Sequence, residues 1–235
     1  MYARKQILPN NSYSHVFFRC HNRQFLLKDD HVKDYLLLQW SKYKKRYQIE
    51  IYEFIIMDNH AHLLVRAKST EALGHFMRTV NSLLARYINR SLARDSQAIR
   101  ERYKSPLVTS MRYCHKLMQY IWLNRHKTNP QHNPMRDRYC SASWRTNPAI
   151  LNSFQMKNED IEIIRSLLDM DEHIYPEKIG RFVRDLLNAA LGNASSGIFK
   201  DMIHGHTIGD TNAVSFRSEL LNSFRRQKNP RPSWC

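Results

Sequence analysis

The chain has 235 residues, 42% of them hydrophobic, enough for one large domain or one domain with a substantial extension. Its 37 Lys and Arg against 21 Asp and Glu give a formal charge of +16 and a pI near 9.9, a balance that favours a polyanionic partner, nucleic acid first, although charge also serves plain solubility. No apolar run matches a membrane helix, the polar start Met1 to Asn11 does not read as a signal peptide, and Cys20, Cys114, Cys140 and Cys235 form no CxxC pair; a membrane partner, a disulfide framework and a thiolate zinc site are therefore excluded, and a reducing cytoplasm is expected.

Met1 to Asn11 reads as a disordered or loosely docked arm. Tyr13 to Arg19, rich in aromatic and β-prone residues, predicts a strand, and Cys20 to Gln24 a polar, basic loop that includes Arg23. Asp29-Asp30 can cap a helix running to about Arg46, whose last turn gathers Lys42, Lys44, Lys45 and Arg46 at the negative end of the helix dipole. Glu50 to Met57 and His60 to Arg66 predict two strands joined by a tight turn at Asp58-Asn59. Ser69-Thr70 opens a helix to about Ala93. It carries Arg78, and Arg86, Arg90 and Arg94 recur at spacing four as one basic stripe, either a solvated face or a nucleic-acid contact. Tyr103 to Thr109, with Lys104, predicts a short strand that Pro106 confines to an edge or an end, and Arg112 to Lys127 a third helix.

After Thr128 the texture changes. Asn129 to Pro148 reads as a linker or wrapping loop, 158–170 and 176–191 as helices, 199–203 and 215–226 as shorter ones, and the basic tail from Arg225 as unpacked. The order of elements predicts an α+β fold, an antiparallel sheet with helices packed on it. The expected division is a catalytic-size domain over 1–147 and a basic, helical C-terminal extension over 148–235.

Chemistry concentrates in two places. On a strand, residues i and i+2 point the same way, so His60 and His62 stand side by side and can hold one divalent cation; an HxH pair is also common as plain packing or surface. A second pair, His204 and His206, flanks Gly205 in a stretch that would hold ligands poorly. On the third helix, Lys116, Tyr120 and Asn124 share a face at spacing four. Tyr120 can serve as a nucleophile, Asn124 as an oxygen ligand, and Lys116 can contact a phosphate or depress the phenol pKa. A phenol of ordinary pKa near 10 attacks a phosphodiester poorly without a metal to polarise the phosphate and charge to steady the phenolate.

Four stretches, taken in order, resemble one family. They are Tyr13-Ser14-His15-Val16-Phe17-Phe18-Arg19 with Asn22-Arg23-Gln24, Met57-Asp58-Asn59-His60-Ala61-His62-Leu63-Leu64, Tyr103-Lys104-Ser105-Pro106-Leu107-Val108, and Met118-Gln119-Tyr120-Ile121-Trp122-Leu123-Asn124. Together they resemble the single-tyrosine HUH transposases of IS200-like insertion sequences, and within them the REP-associated tyrosine transposase branch, over about residues 10 to 145. The resemblance implies a ferredoxin-like HUH fold and a bacterial, nucleoid-associated enzyme. It implies His60, His62 and Asn124 as ligands of Mg or Mn, and Tyr120 as the nucleophile that cuts and rejoins single-stranded or hairpin DNA through a 5′-phosphotyrosine link. Arg23, Arg78, Arg86, Arg90, Lys104 and Lys116 are the expected DNA contacts, and a monomer or a homodimer the expected assembly. Two departures stand out: Cys20-His21 replaces a glycine before the Asn-Arg-Gln loop, and no Asn-Pro directly follows the tyrosine helix, which leaves His21 or His126 as substitute ligands. A domesticated hairpin-binding protein without turnover, and a metal nuclease that uses water, are the alternatives.

Overall fold

The computed structural model describes residues 8–100 and 102–193. The expected helices at 199–203 and 215–226, the basic tail, the His204 and His206 pair, and residues 1–7 of the arm lie outside the described residues. One compact unit spans Met1–Ala189, and Ala190–Cys235 forms a second.

Three antiparallel strands, β1 (Ser12–Arg19), β2 (Ile49–Ile56) and β3 (His60–Ala67), form a sheet in the order β1-β3-β2. The Asp58-Asn59 turn makes β2 and β3 a hairpin, and β1 pairs with the other edge of β3, placing Phe17 opposite His62 and Arg19 opposite His60. One sheet face carries Val16, Phe18, Ile51, Phe54, Ile56, Leu63 and Val65. It buries them against α1 (Asp30–Lys44) and α2 (Thr70–Ser91), whose Leu36, Leu37, Trp40, Phe76, Val80 and Leu84 complete the main core. Ser69 caps α2 as expected, its hydroxyl accepting from the Ala72 amide at 3.2 Å.

The other sheet face belongs to α3 (Met111–Trp122). A β-bulge between Ile51 and Glu53 decides what faces that helix. Ile51 and Phe54 both enter the main core, so Tyr52 and Glu53 turn the other way, onto the face that carries His62. The helix is shorter than the expected run to Lys127. It stops at Trp122, and a turn follows in which Arg125 reaches across to the Ile56 carbonyl at 2.9 Å and to Asp58 at 3.2 Å.

Two further expectations are corrected. The strand foreseen at Tyr103 to Thr109 is a pair of isolated bridges to β1, Phe17 with Lys104 and Ser14 with Leu107. Pro106 offers only its carbonyl, which accepts from the His15 amide at 2.9 Å; lacking an N–H, it cannot extend the ladder. The stretch 129–148, expected as a linker or wrapping loop, is built into the core: it contains a 3-10 turn (Pro134–Arg136) and α4 (Ser141–Thr146), and it buries Tyr139, Cys140, Ala142 and Trp144. Trp144 sits edge-on between Phe54 and Phe154, an apolar load that the surrounding Asn, Pro and Arg residues mask in sequence. Leu8, placed in the loose arm, is buried and its amide donates to Thr70 Oγ1 at 2.8 Å. Helix α5 (Asn158–Arg165) falls within its expected span, and α6 (Ile179–Asn193) overlaps the span expected for it, ending two residues beyond. Cys20, Cys114 and Cys140 are buried free thiols.

Candidate active site

β3 presents His60 and His62 on one face, with ring centroids 5.0 Å apart and planes at 87°. Each ring is oriented by a hydrogen bond at Nδ1. For His60 the partner is Asn59 Oδ1 at 2.6 Å. The Asn59 amide has its nitrogen committed to the Arg23 carbonyl at 3.0 Å, so its oxygen is what faces the ring, and an oxygen can only accept. His60 therefore carries its proton on Nδ1. Burial, followed by the charge of Arg19, lowers its pKa to about 4, so at neutral pH the ring is neutral and Nε2 holds a lone pair. That lone pair faces Asn124 Oδ1 at 3.4 Å.

His62 Nδ1 lies 2.9 Å from Nε2 of His15, which β1 places diagonally across the ladder. Both rings are buried and neutral. Desolvation lowers His15 to about 3, and His62 goes well below its ordinary value through burial and then the neighbouring His15 and His60. If His62 donates from Nδ1, its Nε2 is left as an acceptor.

Tyr120 stands over this group from α3. Its ring meets His62 edge-on at 5.4 Å and His15 at 5.8 Å. Burial raises the phenol pKa; a hydrogen bond from Asn124 and the charge of Arg19 oppose that shift. The amide of Asn124 thus spans the gap, oxygen toward His60 and nitrogen toward the phenol. Lys127 reaches back from the turn after α3, its Nζ 3.8 Å from the Tyr120 ring centroid.

Two acceptors, His60 Nε2 and Asn124 Oδ1, that face each other without a proton between them are what a cation satisfies. Two imidazoles and an amide oxygen suit a divalent ion with open positions for substrate. Among the described residues no group of three or more His, Cys, Asp or Glu could hold a metal, so neither His21 nor His126 makes a third imidazole of such a centre. His126 is instead bonded through Nδ1 to the His132 carbonyl at 3.0 Å.

Tyr120, Asn124, His60 and His62 thus come together, whereas most of the basic residues foreseen as DNA contacts lie elsewhere. Arg78, Arg86 and Arg90 are exposed on α2, in the helical layer across the sheet from the His pair. Arg94 falls beyond α2 and folds back onto Ser96 and Gln24. Arg23 is exposed beside the Asn59 turn, Lys104 is exposed one bridge from Phe17, and Lys116 is exposed on α3. His15, Arg19 and Lys127 were not singled out in sequence. For the first two a signal existed: with Phe17, they alternate along β1 on the face that meets His60 and His62.

The chain matches the family model described as "Transposase IS200 like" over residues 9–123. That stretch, 115 of the 235 residues, is thus similar to IS200-like transposases. The match ends one position before Asn124. Among solved structures, a REP-associated tyrosine transposase bound to a REP hairpin shares the fold, with a TM-score of 0.52 and 11% identity over 64% of this chain and 88% of that one. A Deinococcus radiodurans R1 protein provisionally assigned as a transposase matches at a TM-score of 0.35 and 19% identity over 52% of this chain and 95% of that one. No curated protein matches the chain. No helix among the described residues is long and apolar enough to cross a membrane.

Proposed function

We propose that the transposase domain cuts and rejoins single-stranded DNA, presented as a hairpin, through Tyr120. One observation carries this reading: the Tyr120 phenol, the Asn124 amide and the His60 and His62 pair converge on one spot, although they come from two elements far apart in sequence. In the proposed step the phenol oxygen forms a bond to phosphorus, the bond from phosphorus to the 3′ oxygen breaks, and the phenol proton ends on the departing hydroxyl. The products are a 5′-phosphotyrosine and a free 3′-hydroxyl. One phosphodiester is exchanged for another, so the reverse reaction at a second end needs no ATP. His60, His62 and Asn124 would hold Mg or Mn, which when bound polarises the attacked phosphate. The Asn124 amide steadies the developing phenolate and aims it; the buried neutral rings of His15 and His62 wall one side of the phenol and keep water from it.

The hairpin as substrate draws on the REP hairpin held by the fold neighbour and on the +16 charge, which suits phosphate backbones. We assign 1–147 to the catalytic domain, which holds the chain's excess positive charge, and 148–235 to a helical extension in which 11 Lys and Arg balance 11 Asp and Glu; Tyr175 of the extension reaches Glu53 on β2. Burial of the phenol, which works against its ionisation, favours a second reading: a hairpin-binding protein that no longer turns over.

Incubation with hairpin-bearing single strands and Mn separates them. The first reading expects a covalent protein–DNA adduct that disappears in Tyr120→Phe. Tight binding with no adduct across a panel of palindromic oligonucleotides favours the second, and cutting that survives Tyr120→Phe points to a water-using nuclease.

A further inference from the structure

We propose that Lys127 is a further catalytic residue, whose ammonium contacts a non-bridging oxygen of the phosphate that Tyr120 attacks. The inference rests on the function proposed above. Lys127 Nζ lies over the Tyr120 ring, 3.8 Å from its centroid. A phosphate must come within about 3–3.5 Å of the phenol oxygen to be attacked. Its non-bridging oxygens then approach the cation already seated on that ring. The backbone places Lys127 there: its amide bonds the Leu123 carbonyl at 3.2 Å, so the turn that ends α3 coils back under the phenol.

The surroundings support a held cation. Lys127 is half-buried, and desolvation brings its pKa down to about 8, so the ammonium still dominates at neutral pH. The other groups around the phenol are His15 and Arg19 from β1, His62 from β3, and Asn124 and Tyr113 from the α3 segment. The two histidines are neutral, Arg19 is exposed, and the amide and phenol carry no charge. Lys127 is therefore a half-buried side-chain cation in contact with the reacting ring, beside whatever divalent ion the histidine pair and Asn124 would hold. As the phenol oxygen bonds to phosphorus, negative charge accumulates on the non-bridging oxygens, and a fixed ammonium beside them stabilises that state more than the ground state. Lys116, for which the sequence suggested a phosphate contact or a lowered phenol pKa, is exposed on the helix surface.

A charge-deleted substrate tests this directly. Adduct formation is measured for the full chain, Lys127→Met and Lys127→Arg, on a hairpin oligonucleotide with either a normal phosphate or a neutral methylphosphonate at the scissile position; hairpin affinity is measured in parallel as the control for folding. Lys127→Met should lose about 10²–10³-fold in adduct rate on the phosphate, a loss typical of removing one charge-stabilising donor. It should bind the hairpin as the parent does and match the parent on the methylphosphonate. Lys127→Arg should recover most of the rate. An equal loss on both substrates would show that Lys127 only props the ring and would overturn the proposal, as would an undiminished rate on the phosphate. If Lys127→Met does not bind hairpin, Lys127→Gln replaces it under the same criteria. A parent protein that forms no adduct on the phosphate brings down the strand-transfer reading itself, and this proposal with it.

Discussion

Replacing Glu53 should damage both the stability of the domain and the aim of Tyr120. Glu53 is fully buried, turned inward by the β2 bulge, and shared by four residues drawn from α3, α4 and the segment before α6. Trp122 Nε1 donates to it at 2.7 Å, the Tyr175 hydroxyl at 2.5 Å and the Ser141 hydroxyl more closely still, while Arg145 Nε lies 3.7 Å away. Hydrogen bonds to a charged acceptor contribute roughly 1.5–3 kcal/mol each, and removing one member of a buried ion pair costs about 3–5 kcal/mol. Arg145 keeps the Tyr52 and Asp169 carbonyls at 2.8 and 2.7 Å, so it is not stranded and the lower end applies. We expect Glu53→Gln to lose about 3 kcal/mol, and Trp122→Phe, which removes only the indole N–H, about 1.5–3 kcal/mol. Trp122 lies two residues from both Tyr120 and Asn124, and a shift of about 1 Å in a reacting group can cost on the order of 10²-fold in rate. Urea denaturation followed by circular dichroism gives the first quantity, and adduct rate at saturating hairpin gives the second. Should Glu53→Gln unfold within 0.5 kcal/mol of the parent, roughly the scatter of an unremarkable surface change, or Trp122→Phe react at the parental rate, the anchoring argument is wrong.

Two predictions concern His15. Its Nε2 bonds His62 Nδ1, and by accepting there it would leave His62 Nε2 open to a metal, so His15→Leu should weaken Mn binding by roughly 10–100-fold, whereas His15→Gln, which still offers an acceptor, should lose less; calorimetric titration of the metal-free protein decides, and equal affinities in all three would refute the role. The same ring makes folding pH-sensitive. With a folded pKa of about 3 against an ordinary 6.5, His15 takes up protons more readily when unfolded, so its contribution is full above about pH 6.5 and is lost as pH falls toward 3. By pH 5 the metal-free protein should have lost about 2 kcal/mol from this group, and His15→Leu should show a correspondingly flatter profile; a parental stability that is level between pH 7 and 5 would contradict the burial argument.

What the sequence showed follows from which forces are local. The β2–β3 hairpin, the α2 cap at Ser69 and the facing of His60 and His62 all depend on neighbours within a few residues, and each is found where the pattern placed it. The pairing of Tyr120 with Asn124 also rests on helical spacing, yet it persists past the end of α3 because Arg125 ties the following turn to Ile56 and Asp58, a tertiary bond that spacing could not reveal. The masked core segment around Trp144 failed for the opposite reason: a few buried side chains, each satisfied by partners far away, are diluted among residues with strong turn propensity.

The orientation of the ring nitrogens is the most non-local property of all. The HxH spacing brings two imidazoles together but leaves four nitrogens equivalent. Asn59 selects among those of His60 only because the Arg23 carbonyl has already taken the amide nitrogen, and His15 can select for His62 only because β1 pairs with β3 in the register that sets Phe17 opposite it. A one-residue slip of β1 would turn His15 and Arg19 into the main core and Val16 and Phe18 toward Tyr120, burying two polar groups and exposing two apolar ones. The hydrophobic pattern that fixes the register of β1 therefore also sets which ring nitrogen of His62 meets His15. A sequence reading that seeks only the HxH pair finds its two histidines and overlooks the His15 ring bonded to one of them.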